Sequence, residues 1–503
     1  MAVQDHDYVT DDLALKWAKE RLDFSSSELV SAAPWARVHR LNGKRESAYL
    51  KQLSPRLTPS LVTTVALAER FSGEIPDVIS ADSERGLLML QDPRGRRLRS
   101  DDDYKSHRKL LEAYAEMQGR ARHFPELLGQ FPTLDTSDLV PSLLRFLGAT
   151  DPATAAGDKV TAAYFLGRTR AKDYHDAFAV RADLLQAFIA RAAELPPTLN
   201  HCDLRLKNAA ETRDKRIVLS NWEHATVGPA GLSLHALFSG AATVAKLFEA
   251  PAAARRIDNA APIKYALNGY LEALAGSGYA APADLQRGLP AAVCAGLIQH
   301  LVWYADYPSD SRSYRRRVRR MLRSRFSDLL DLCDLLALVD RDAVLRCALD
   351  YRVKGRASRA ETLLRSFVAN NPNDADATAE LARTLQQRGK RTEALAVYGD
   401  ALELSPEEAG LHHDHGVALL EALRLDDAVS SLRRAVHLGA ASKTAAADLD
   451  RASQMQRCER EARRPEVAPT LPVSAAELAA GQLRPETVEF ARRLFFEYGV
   501  LVI

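Results

Sequence analysis

The residues best suited to chemistry lie in Thr198-Leu-Asn-His-Cys-Asp-Leu-Arg-Leu-Lys-Asn208 and the following Arg216-Ile-Val-Leu-Ser-Asn-Trp-Glu223. Asp203 and Asn208 stand five residues apart in an H-x-D-x-x-x-x-N pattern, and the apolar run after them ends in a polar residue and an aromatic. Moving a phosphoryl group demands little covalent help from a protein. It needs a carboxylate to orient the attacking hydroxyl and accept its proton, and oxygen ligands to hold Mg²⁺ on the phosphates. One loop presenting Asp203 and Asn208 can serve both needs.

Such a loop must be held between elements on either side, and the pattern of the first 335 residues supplies them. Trp35–Leu41 alternates, Asn42-Gly43-Lys44 makes a turn, and Ser47–Leu53 alternates again, which together read as a hairpin. Helical spacing covers about 59–72, and Gly86-Leu-Leu-Met-Leu90 fits a strand. Helical spacing dominates 104–195 and 232–335, with a short strand pair near 199–220 between them. The expectation is a small sheet-rich lobe followed by a larger helical one.

The loop resembles the H-R-D-x-x-x-x-N loop of protein kinases. More closely, residues 30–335 resemble aminoglycoside phosphotransferase and choline-kinase-like proteins, whose core reads roughly H-G-D-x-x-x-x-N, I-D-W-E and G-P-x-x-x-D-L. The chain supplies His201-Cys-Asp203, Asn208, Asn221-Trp-Glu223 and Gly228-Pro-Ala-Gly-Leu-Ser-Leu234. The resemblance implies an α+β bilobal protein-kinase-like domain using ATP and Mg²⁺ to phosphorylate the hydroxyl of a small molecule. It implies Asp203 as catalytic base, with Asn208 and Asn221 as metal ligands. Lys51 falls where the family's strand lysine holds the α/β-phosphates, and Glu69 where a helix glutamate could pair with it. Leu90, in the Leu88–Asp92 segment, falls on the strand whose backbone would meet adenine.

Two departures stand out. The family's second metal ligand, an Asp, is Asn221 here, which removes one negative charge from a site whose affinity depends on charge. The later Asp that braces the loop is Ser233. Either Mg²⁺ binding is weakened, or the lobe is a silent pseudokinase that binds without turnover. Glu223 reads equally as a salt-bridge partner or a metal-site helper, and Asp92 as a turn residue before Pro93. Cys202, in a slot usually held by Gly, reads as a small packed residue, and His224 and His235 as structural. Eight arginines between Arg312 and Arg325 read as a solvated helix face, with Tyr314, Val318, Leu322 and Phe326 pointing inward. The alternative is a patch for phosphates or an acidic partner.

Beyond residue 340 a 34-residue period emerges. Ala360, Ala394 and Ala428 share it, as do Pro372 with Pro406 and Gly355 with Gly389. Small residues where two helices cross, and a terminal Pro, resemble tetratricopeptide (TPR) repeats. Three repeats over 341–441 imply an all-α solenoid with a groove for a protein or peptide partner, and a helix at 443–464 could cap it. The third repeat is degenerate: His415 takes an apolar slot and Ala440 replaces the Pro. A Pro-rich linker follows at 465–482. Residues 483–503, ending Tyr498-Gly-Val-Leu-Val-Ile503, resemble the opening of phytanoyl-CoA-dioxygenase-type oxygenases. They are expected to start a truncated further domain whose iron ligands would lie past residue 503. The alternative function is then a silent kinase-like scaffold that, with the repeats, recruits partners or substrate for a missing Fe(II)/2-oxoglutarate oxygenase.

Composition bounds these readings. At about 100–200 residues per domain, 503 residues hold several compact units. Lys and Arg total 68 against 66 Asp and Glu, a net +2 that argues against nucleic-acid binding through global charge. The five cysteines are scattered without a C-x-x-C pair, which fits a reducing cytoplasm rather than a disulfide framework. The acidic N-terminus is no signal peptide, and no uninterrupted run approaches the ~18 apolar residues of a membrane span.

Overall fold

A computed structural model describes residues 9–44, 46–100, 104–148, 160–238, 260–309, 311–439, 443–463 and 483–498, with a few single positions besides. The chain divides into two compact units, Met1–Leu335 and Leu336–Ile503.

The first unit opens with α1 (Asp11–Lys19), then β1 (Ser26–Ala33), β2 (Ala36–Asn42), β3 (Ser47–Leu53), α2 (Ser60–Arg70), β4 (Val78–Asp82) and β5 (Leu87–Gln91). The strands form one antiparallel sheet in the order β1-β2-β3-β5-β4. The central β3 explains the position of Lys51 through its period of two. Ala48 and Leu50 turn to one face and join Trp17 of α1, Leu41, Leu87 and Met89 in a buried cluster. Tyr49, Lys51 and Leu53 turn to the other, where Leu53, Leu88 and Leu90 pack against Leu57 and Leu61. The expected hairpin is present, with Asn42 opposite Ser47. Sequence reading missed α1 and β1. Nearly every β1 residue is exposed, so no alternation marks it. α1 is held from outside the sheet by Asp11, which accepts from Arg37 at 3.1 and 2.7 Å and from Gln52 at 3.1 Å.

The helical part is built on α3 (Lys105–Ala121) and the helices Ala260–Gly276, Pro282–Trp303 and Arg312–Ala337. The stretch Pro282–Asp306 is apolar enough to cross a bilayer (mean hydropathy 1.3), yet 78% of its most apolar window is buried, as in a core helix. Tyr314, Val318, Leu322 and Phe326 are buried at their four-residue spacing, as the arginine-rich sequence implied. Gly296 sits where Pro282–Trp303 meets the short turn Leu232–Ala236. A Cβ there would lie 1.9 Å from the Leu232 carbonyl oxygen. Because the obstacle is backbone, Gly296→Ala is expected to lower stability by about 3 kcal/mol. Gly276→Ala, which meets nothing within 4 Å, should leave thermal unfolding nearly unchanged.

The second unit is a run of paired helices: Arg341–Val353 with Ala357–Asn370, Ala375–Gln387 with Arg391–Leu404, and Ala409–Glu421 with Leu425–His437, then Lys443–Ala462. Ala360, Ala394 and Ala428 are fully buried at the crossings. The period is also written in the backbone. Gly355 and Gly389 have φ +70° and +73°, and Leu423, one period later, keeps φ +56° without glycine. The left-handed turn after each first helix is a requirement of the repeat, and Leu423 bears its strain in the degenerate third.

Residues 465–482 fall almost wholly outside the described residues, as do 499–503. The helix Pro485–Tyr498, expected to begin a separate domain, buries Phe490 and Leu494 in one cluster with Leu425, Met455 and Cys458. Phe495 and Phe496 of the same helix stay exposed.

Glu361 knots the first repeat to the second, accepting from Arg365 at 2.8 Å, Lys390 at 2.7 Å and also Arg388. Burial alone would raise its carboxyl, but the three cations hold it down at about 2. With the folded value below the unfolded one, its stabilisation is full above pH 4.5 and is lost as pH falls toward 2. Allowing for solvent around the cations, Glu361→Gln should cost about 2 kcal/mol at pH 7. Denaturant midpoints from pH 7 down to 2 should show the parent and variant converging at the acid end.

Candidate active site

Short strands pin both ends of the 201–208 loop. β7 (Pro197–Asn200) pairs with β10 (Thr226–Pro229), while β8 (Ala209–Glu211) pairs with β9 (Ile217–Leu219) and with β6 (Arg96–Arg97). His201 is buried beneath the loop. Its Nε2–H donates to the Ser220 carbonyl at 2.9 Å, and Nδ1 accepts the Asp203 N–H at 3.2 Å. Burial pushes the imidazole down to about 4, so it stays neutral near pH 7 and keeps this tautomer.

Cys202 has φ +60°, in the left-handed region that glycine enters freely. Burial pushes its thiol up to about 12, the behaviour of a packed thiol and not of a nucleophile. The Cys202 N–H donates to Ser233 Oγ at 3.0 Å, and that hydroxyl shares a 2.8 Å hydrogen bond with Tyr114. Tyr114 also accepts the His201 N–H at 3.0 Å. Ser233 therefore braces the loop as the family's Asp is expected to, but with a neutral hydroxyl.

The chemical groups form one continuous polar chain. Lys51 Nζ crosses from the sheet to donate to Asn221 Oδ1 at 2.7 Å, and it ion-pairs with buried Glu223. Asn221 Nδ2 donates to Asn208 Oδ1 at 2.8 Å. Asn208 Nδ2 donates to the Asp203 carbonyl at 2.9 Å and to Oδ2 at 3.1 Å. Arg205 Nε lies 2.6 Å from Asp203 Oδ1 and closes the far end. Asn221 has φ +73°, a conformation that Asn and Asp tolerate better than most residues.

The structure corrects one expectation and resolves another. Glu69 is exposed near the end of α2 and is not the partner of Lys51. Glu223 is that partner. Burial alone would raise its carboxyl, but the charge and hydrogen bond of Lys51 hold it below the usual carboxylate value. The clue lay in Asn221-Trp-Glu223, whose two polar side chains flank the buried Trp222 just past β9.

Lys51, Leu90, Asp203, Asn208, Asn221 and Glu223 all line a cleft of about 680 Å³. Leu90 itself is buried in β5 at its inner wall. A second cavity of about 490 Å³ adjoins it, walled by Trp35, Trp303 and Tyr304. Asp203, Lys207, Glu223 and His224 line both.

As placed, Asn208 and Asn221 do not fit a divalent cation. Mg²⁺ takes bare oxygen ligands, carboxylates above all. The Asn208 oxygen already accepts from Asn221, the Asn221 oxygen accepts from Lys51, and Asp203 faces Arg205. Among the described residues, no group of three or more His, Cys, Asp or Glu side chains could hold a metal.

No family model matches the chain, and no curated protein matches it. Solved structures similar to it include a choline/ethanolamine kinase family protein from Mesorhizobium loti, at 16% identity, TM-score 0.39, covering 65% of this chain and 92% of that one. A choline kinase from Cryptosporidium parvum is similar at 12% identity, TM-score 0.43, covering 66% and 98%. The macrolide 2′-phosphotransferase of Brachybacterium faecium is similar at 16% identity, TM-score 0.39, covering 62% and 98%.

Proposed function

We propose that the first unit is a phosphotransferase that uses ATP to phosphorylate the hydroxyl of a small molecule. The observation that carries this reading is the position of Asp203, which faces both the Lys51 cleft and the aromatic cavity beside it. The triphosphate occupies the cleft, with Leu90 on the adenine side and Lys51, held by Glu223 and Asn221, offering its remaining N–H to the phosphates. The acceptor occupies the aromatic cavity with its hydroxyl at Asp203. Asp203 takes the proton, the acceptor oxygen bonds to the terminal phosphorus, and the bond from that phosphorus to the bridging oxygen breaks to release ADP. The test is a thermal shift with ATP together with ADP release over a panel of hydroxyl compounds. ATP-dependent stabilisation and acceptor-stimulated ADP release are expected, and absence of any ATP effect on the parent chain overturns the reading.

The closed chain from Glu223 to Arg205 favours a second reading, a silent or weak lobe that binds without turnover. In that case ATP stabilises the chain but no acceptor raises ADP release. For the second unit we propose a TPR solenoid that takes a protein or peptide partner in its groove, supported by the period of its helix pairs and turns. A concavity of about 760 Å³ lined by Arg352, Arg383, Tyr398, His413 and Glu421 is the place for it. Under the silent-lobe reading the two units together recruit partners or substrate. A cytoplasmic setting fits either reading.

A further inference from the structure

The wall of the aromatic cavity carries cations and almost no spare anions. Its lining carboxylates are Asp203 and Glu223, and each already faces a cation of this chain, Arg205 and Lys51. Arg317 and Lys207 also line it, and among the described residues neither has an ion-pair partner. Around the Tyr304 hydroxyl in the same wall, Arg205, Arg317 and Arg325 act electrostatically against the single carboxylate of Asp203.

The rings do not compensate. An ammonium can be held over an aromatic face, but here the Arg317 guanidinium already stands 5.8 Å from the Tyr314 ring centroid. Trp303 is packed edge-on by Trp35 at 5.0 Å and stacked parallel to His300 at 6.3 Å. His224 and His300 are pressed below their ordinary values by burial, so near neutral pH they add hydrogen-bonding capacity and no charge. A flat or apolar body fits against Trp303 and Tyr304, while a positive charge entering beside Arg317 and Lys207 meets repulsion without a partner.

We infer that the acceptor is an anion: a hydroxyl compound bearing a carboxylate or phosphate that Arg317 and Lys207 hold while its hydroxyl faces Asp203. This rests on the phosphotransferase reading for the role of the cavity, but the preference for charge is tested by binding alone. Arg317 comes from the arginine-rich helix, so one of those side chains lines the cavity although the helix as a whole reads as a solvated face.

The test uses matched probes on the full chain without nucleotide, read by saturation-transfer NMR. One set is 3-hydroxy-3-phenylpropanoate, 1-phenyl-1,3-propanediol and 3-amino-1-phenylpropan-1-ol. The other is glucuronate, glucose 6-phosphate, glucose and glucosamine, which separates carboxylate from phosphate. Anionic members should bind at least about tenfold tighter than the amines, and Arg317→Glu or Lys207→Glu should erase the difference. Arg317 is exposed on its helix, so that variant should fold as the parent does. Amines binding as tightly as acids, no anionic probe binding, or a preference unchanged in both variants overturns the inference. Anion binding without ADP release when ATP is added leaves the charge preference standing and sinks phosphoryl transfer instead.

Discussion

Asp203→Asn is expected to lower ADP release by about 10²–10⁴-fold while ATP still stabilises the chain as it does the parent. The reasoning is geometric. Asn keeps the shape and can still accept the Asn208 Nδ2–H that Asp203 Oδ2 accepts at 3.1 Å, so the loop should hold. What disappears is the carboxylate that takes the acceptor's proton. The pairing with Arg205 also goes, but Arg205 lines the aromatic cavity and not the cleft, so nucleotide binding should hold. Turnover that survives this substitution removes Asp203 from the role of base. A matching loss of ATP stabilisation would instead mean that Asp203 acts in binding.

Asn221→Asp should produce the second large effect, a gain. In the parent, ATP binding should respond weakly to Mg²⁺, because the Asn221 amide donates to Asn208 Oδ1 and its oxygen is taken by Lys51. A carboxylate at this position cannot donate, so Asn208 Oδ1 is released and a negative charge is added at the same point. The backbone should tolerate the change, since Asp accepts the same left-handed φ of +73°. The variant should bind ATP about tenfold to a hundredfold tighter with Mg²⁺ than in a chelator. Thermal shifts of parent and variant with ATP, with and without Mg²⁺, measure it. A parent already strongly dependent on Mg²⁺ would show that the two amides open readily and that the closed chain is no obstacle.

Much of the architecture was legible because it repeats a physical period. The alternation of Ser47–Leu53 fixed which way Lys51 turns, and the 34-residue spacing of Ala360, Ala394 and Ala428 marked where helices cross. The four-residue spacing from Tyr314 to Phe326 named the buried stripe of a helix that its arginines make look solvated. Elements with weak signal were missed for a reason: β1 is exposed on nearly every residue, so burial never imprints a pattern on it. For 485–498, an amphipathic helix declares that it has a partner but not which one, and Phe490 and Leu494 find theirs in the preceding helices.

For the site, the close spacing of a loop between two short strands brought forward Asp203 and Asn208, and the resemblance to a known family added Asn221 and Lys51. Neither was enough to pair them. Glu69 and Glu223 are both plausible partners for a lysine in a strand, and only the approach of the two parts of the unit places one carboxylate against Lys51 and leaves the other in solvent. The same holds for Ser233, which reads as a lost Asp until Tyr114 and Cys202 are seen to meet its hydroxyl. Residue type and spacing set which groups can act. Distances across more than a hundred residues of chain, set by packing, decide which of them touch, and so whether an amide oxygen faces a cation of this chain or is left for a ligand.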